Sequence, residues 1–133
     1  MWRLVFSIVG ACCALYAANG NIRQALELER AGQPAQARAL MAQAVEAAPH
    51  DADTQLAFAE FLDRYGDSGR RAAYEKALQA LRDGGSQEKR QQILRRLLVL
   101  SLIEGDEEAA RRWVPAYRQA GGSGLNLAEL VFP

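Results

Sequence analysis

The chain has 133 residues, half of them hydrophobic, with 16 acidic and 16 basic side chains. That is one domain of ordinary globular composition. The formal net charge of zero lacks the basic excess that nucleic-acid binding normally leaves, so no nucleic-acid partner is expected.

The N-terminus, MWRLVFSIVGACCALYAANG, places Arg3 before an apolar run from Leu4 to Ala18, with small residues at Ala18 and Gly20. This order predicts a secretory signal peptide over residues 1–20, cut after Gly20, or after Ala18 with Tyr16 in a position that prefers a small group. The alternative is an uncleaved membrane anchor, although the run is shorter than the roughly 20 apolar residues that span a bilayer. Export to the periplasm or to the outside follows from the first reading; membrane contact through this segment alone follows from the second. Cys12 and Cys13, the only cysteines, both lie in the run. Its removal leaves a chain without disulfide or thiol chemistry.

Three helix pairs are predicted next, over 21–50, 51–84 and 86–119. In the first, NIRQALELER carries Ile22, Ala25, Leu26 and Leu28, and Gly32 stops it. The link through Gln33 and Pro34 is short, which predicts an antiparallel helical hairpin, with Pro34 in the first turn where a missing N–H costs nothing. Ala37, Met41 and Ala44 recur at steps of four and three and so share one helical face. Two of the three are alanine, so a neighbouring helix can approach closely. Pro49 ends the run.

The second pair opens with Asp51 or Asp53 as cap. Leu56, Phe58, Ala59, Phe61 and Leu62 form its first apolar face, and Ala72, Ala73, Ala77, Leu78 and Leu81 its second, with Gly66 between. Asp83 to Ser86 is the clearest break in the chain, and Ser86 is an acceptable cap. The third pair starts polar and basic, then turns apolar nearly all round at Ile93, Leu94, Leu97, Leu98, Val99, Leu100, Leu102 and Ile103. Such a helix expects cover on more than one side, and each buried leucine contributes roughly 1.5–3 kcal/mol. Pro115 predicts a bend near Arg111 to Val114 in its partner. Residues 120–133 read as a glycine-rich joint followed by a short apolar tail.

Gly32, Gly66 and Gly105 each stand at the turn of a helical hairpin. In the first unit Gly32, Ala37, Met41, Ala44 and Pro49 match the turn and second helix of the tetratricopeptide repeat, whose period is near 34 residues, and over residues 21–119 the chain resembles that family. Gly66, Tyr74 and Ala77 fit the second unit after deletion of one residue, with Arg70 in the small-residue position. Gly105 and Ala110 fit the third, where Val114 and Tyr117 fill the bulky and alanine positions. The aromatic–Leu–Gly signature of the family's first helix is missing throughout. The resemblance implies an all-α fold of antiparallel helix pairs stacked as a short right-handed solenoid. It also implies a concave groove lined by the first helix of each pair, here Leu26, Glu29 and Arg30, then Leu56, Glu60, Asp63 and Arg64, then Gln92, Arg95 and Val99. The basic clamp with paired asparagines that some relatives use is not matched, since Ile22 and Leu26 occupy its place in the first pair.

Sites for chemistry are scarce. His50 is the only histidine and cannot build a zinc site without cysteine. Glu104, Asp106, Glu107 and Glu108 lack calcium-loop spacing and fit a helix N-terminus instead. No hydrolase triad or phosphate loop is readable, so no catalytic residue, metal or cofactor is assigned. The cations Arg64, Arg70, Arg71, Lys76, Arg82, Lys89, Arg90, Arg95 and Arg96 crowd the middle, either as solvated helix faces with local pairing or as a dock for an acidic partner. The expected function is a non-catalytic protein-interaction scaffold that binds a peptide or protein surface in its groove. The alternative is an accessory segment of a larger envelope enzyme or export machine.

Overall fold

The computed structural model describes residues 2–81 and 85–123, with the side chains of 2–9 and 11 left aside. Among these residues the fold is all-helical and holds no strand: α1 Trp2–Arg30, α2 Pro34–Ala47, α3 Ala52–Arg64, α4 Arg70–Leu81, α5 Gln87–Ile103 and α6 Glu107–Gln119. Adjacent helices pair as α1 with α2, α3 with α4, and α5 with α6. The pairs meet through α2 on α3 and α4 on α5, with a smaller contact of α1 on α3.

The turn inside each pair is the same object three times. Gly32, Gly66 and Gly105 have φ of 75°, 63° and 71°. At each, the glycine N–H donates to the carbonyl three residues back, and the next N–H reaches the carbonyl five back: Gln33 to Leu28 at 2.9 Å, Asp67 to Leu62 at 2.9 Å and Asp106 to Ser101 at 2.8 Å. This is the Schellman closure, in which a left-handed residue satisfies the last helical carbonyls. Gly121 (φ 83°) ends α6 the same way, with Gly122 N–H on the Tyr117 carbonyl.

The caps follow the side chains expected of them. Of the two candidates it is Asp51 that accepts from the Thr54 N–H, at 2.9 Å, and Asp106 accepts from Ala109 at 3.0 Å. Ser86 caps α5 more loosely, at 3.4 Å from Lys89 N.

Ala37, Met41 and Ala44 are all buried. The main core gathers Ala25, Met41, Leu56, Phe61, Leu62, Tyr74, Ala77, Ile93 and Leu97, and a second cluster joins Leu94, Leu98, Ala110 and Tyr117. Trp113 and Leu78 touch both.

Two details differ from expectation. Ala72 is exposed, because Ala73, Tyr74 and Ala77 form the inward set of α4. Ile103, the last residue of α5, is 66 % exposed. Ser101 is fully buried, its hydroxyl satisfied by the Leu97 carbonyl at 2.7 Å. Pro115 lies inside α6, which runs through it.

Helix α1 continues without a break across residues 18–20. Ala18 is fully buried against Ala44 and Ala48 of the first hairpin. N-terminal to it, Cys12, Cys13, Leu15 and Tyr16 are exposed. Among the described residues no helix is long and apolar enough to cross a membrane. The apolar tail from Leu125 lies outside the described residues, as do Arg82 to Gly84.

Candidate functional site

The first helices of the three pairs, α1, α3 and α5, are linked side by side through polar side chains. Glu29 of α1 accepts two hydrogen bonds from Arg64 of α3, at 2.9 and 2.8 Å. Asp63 of α3 is gripped in the same bidentate fashion by Arg96 of α5, with Nη2 at 2.8 Å. Gln92 donates to Glu60 at 3.1 Å, and Lys89 pairs with Asp53. Glu29 and Asp63 each lie three residues before their turn glycine. An acid at that place, holding an arginine of the next pair, is therefore repeated once along the array. The third pair has Leu102 there, packed against the second apolar cluster.

The second helices are tied forward in a parallel way. Arg38 of α2 reaches Asp67, the residue after Gly66. Arg71 of α4 reaches Asp106, the residue after Gly105, at 2.7 Å, and Glu104 at 3.0 Å. The acidic cluster after α5 thus caps a helix and receives an arginine. Most of the central cations are matched by acids of neighbouring pairs, with Arg70 also near Glu104 at 3.6 Å. The pairing is mainly between helix pairs rather than one turn apart on the same helix.

Beside this ladder lies an open cavity of about 860 Å³. It is lined by Glu88, Gln91, Gln92, Arg95, Arg96 and Val99 of α5, by Tyr74 of α4, by Tyr117 of α6 and by Ser123. A smaller hollow of about 300 Å³ adjoins it, lined by Glu60, Asp63, Arg64, Tyr74 and Arg96. Tyr74 and Arg96 belong to both. Of the residues placed on the groove from sequence, Gln92, Arg95 and Val99 line the larger cavity and Glu60, Asp63 and Arg64 the smaller. Glu29 is joined to them through Arg64. Leu26 and Leu56 pack on or in the main core, and Arg30 is exposed in the last turn of α1.

Tyr74, Arg96, Gln91, Glu88, Tyr117 and Ser123 were not foreseen as site residues. Tyr74 and Tyr117 were legible only as bulky or small repeat positions. Arg96 was visible as one of many cations, and its orientation depends on Asp63, 33 residues away. Gly122 has a steric role: a Cβ there would stand 2.4 Å from the Tyr117 ring, so glycine lets the chain pass over that wall of the cavity.

The electrostatics are settled inside the ladder. The Arg96 hydrogen bonds hold the Asp63 carboxyl below its ordinary range, against the opposing effect of burial. Arg64 does the same for Glu29. Burial pushes the Tyr74 phenol up, and the neighbouring Asp63 charge and hydrogen bond add to it. Tyr74 donates to Asp63 at 3.1 Å, which favours the neutral phenol. Among the described residues no group of three His, Cys, Asp or Glu side chains is placed to hold a metal ion.

The arrangement offers shape, hydrogen-bonding groups and guanidinium groups. No family model matches the chain, and no curated protein or solved structure matches it.

Proposed function

We propose that the chain is a non-catalytic interaction module, a short right-handed solenoid of the tetratricopeptide kind, that binds a peptide or protein segment along α3 and α5. The repeated glycine turns at Gly32, Gly66 and Gly105 support the repeat architecture. So does the side-by-side linkage of α1 to α3 and of α3 to α5 by acids and arginines at related positions. Stacked helix pairs generate an elongated concave surface of the kind such proteins use for binding. The observation that carries the reading is the open cavity of about 860 Å³ with Gln92, Arg95 and Val99 on its wall. The apolar leader with Ala18 and Gly20 supports export, and N-terminal sequencing of the protein from its host is expected to begin at Asn21 or Asn19.

The test of binding is a pulldown with three forms of the chain. Gln92→Trp fills the cavity and is expected to lose the partner. Glu46→Ala, on the exposed side of α2, is expected to keep it. Equal capture by both variants and the unaltered chain would place the interaction elsewhere.

A further inference from the structure

We infer that the cavity along α5 selects an extended peptide by the order of its charges: a basic residue, two spacers, an acidic residue and then an apolar one. This rests on the groove reading given above and specifies its ligand. Half of the polar side chains on the cavity wall are already engaged within the protein. Arg96 and Tyr74 are held by Asp63. The side-chain amide nitrogen of Gln92 donates to Glu60, and that of Gln91 to the Gly121 carbonyl at 3.2 Å.

Two charged wall residues stand outside this network, since neither Glu88 nor Arg95 has an ion-pair or hydrogen-bond partner among the described residues. Both are exposed. They are seven residues apart on α5, two helical turns, or about 10.5 Å along the axis. Three residues of a peptide in the polyproline II form span nearly the same length, at roughly 3.1 Å each, and its three-residue turn brings positions i and i+3 back to one face. A peptide lying along α5 therefore meets an anion at one end and a cation at the other, in register with positions i and i+3. Val99 lies one turn beyond Arg95, half-buried, and offers an apolar contact after the acidic residue. Gln91 and Gln92 keep their side-chain carbonyl oxygens as acceptors for the N–H groups of the spacers.

Charge complementarity sets orientation. A segment of opposite order would put a carboxylate against Glu88 and a cation against Arg95, and like charges in contact discriminate strongly against a wrong register. The other charges near the cavity do not cancel this polarity. Arg96 and Asp63 neutralise each other, as do Arg64 and Glu29, and Lys89 is turned to Asp53. The Glu60 carboxylate lies in the adjoining hollow, where it accepts from Gln92 and faces Arg64 and Tyr74.

The experiment uses the full chain, labelled for NMR, and two synthetic peptides with identical neutral flanks. One carries Lys-Gly-Ser-Asp-Leu at its centre and the other Asp-Gly-Ser-Lys-Leu. The first is expected to bind about tenfold more tightly, the sum of a few exposed charge pairs made or opposed, and to shift the Gln92 side-chain and Val99 methyl signals. The double exchange Glu88→Arg with Arg95→Glu alters only exposed positions, and it is expected to invert the preference. Equal affinity for the two orders, no shift at Gln92 and Val99 up to millimolar peptide, or a preference that survives the exchange would overturn the inference. The groove reading fails separately, when Gln92→Trp retains a native partner. A partner lost with Gln92→Trp but indifferent to the charge exchange would leave the groove standing and remove the charge rule.

Discussion

Arg64 and Glu29 lie 35 residues apart and meet through two parallel hydrogen bonds of 2.9 and 2.8 Å. Arg96 and Asp63 repeat that relationship one pair further along, with Tyr74 as a third partner on the same carboxylate. The two links are not equivalent. The two carboxylates are similarly shielded, Glu29 at 17 % and Asp63 at 12 % exposed, but Asp63 also satisfies a tyrosine that is itself buried. The two arginines are alike, with Arg64 at 45 % and Arg96 at 40 % exposed.

Removal of Asp63 is expected to cost more than removal of Glu29. Asp63→Ala leaves the Tyr74 hydroxyl and the Arg96 guanidinium without their acceptor, a loss of about 2 kcal/mol by the usual worth of hydrogen bonds to charged groups. Glu29→Ala is expected to cost under about 1 kcal/mol, because it leaves no buried hydroxyl without its acceptor. Urea unfolding of the two variants checks the order.

Acid is expected to loosen the contacts between helix pairs. Glu29 and Asp63 have carboxyl groups held below their ordinary values of 4.5 and 3.8 by Arg64 and Arg96. A group whose folded pKa is depressed adds stability that is fully present above the unfolded value and lost as pH falls through the folded one. The urea midpoint is therefore expected to be flat near neutrality and to drop below about pH 4. The raised phenol of Tyr74 works in the opposite sense. Its contribution is full below the ordinary value of 10.0 and is lost as pH climbs above it. Asp63→Asn is expected to flatten the acid limb, and an unchanged limb would assign it to other carboxylates.

Ala44 and its neighbour Gln43 provide a test of register. Ala44 is fully buried with Ala18 and Ala48, whereas Gln43 is exposed. Ala44→Arg is expected to cost about 3 kcal/mol or more, since it overfills the contact and buries an unpaired charge. Gln43→Arg is expected to leave thermal unfolding within a degree or two. Ala77→Arg is expected to behave like Ala44→Arg, because Ala77 is equally buried in the main core.

Gly105 isolates the backbone term of the turns. A Cβ there meets no atom within 4 Å, yet its φ of 71° lies in the left-handed region. Gly105→Ala is expected to cost about 1 kcal/mol from backbone strain alone. Gly105→Asn is expected to recover part of it, because asparagine tolerates that region better. Calorimetry on the two variants distinguishes strain from packing.

The sequence by itself determined the elements. Helix ends were written in local chemistry: a glycine that can take positive φ, an aspartate three residues before a free N–H, and a proline that removes one. The spacing of Ala37, Met41 and Ala44 was equally local, since a period near 3.6 puts them on one face whatever lies opposite. Only the tertiary structure decided the partners. Which arginine meets which acid depends on how one hairpin sits on the next, and Arg95 and Arg96 show it. They are neighbours in sequence and point about 100° apart on a helix, so Arg96 closes on Asp63 while Arg95, on the same cavity wall, does not. Leu26 and Leu56 show the converse, because they follow the apolar face of their own helices onto or into the main core and not onto the groove that the resemblance implied. The cavity likewise belongs to no single segment, since its walls come from α4, α5, α6 and Ser123, and adjacency across a stack is not encoded in any one stretch of chain.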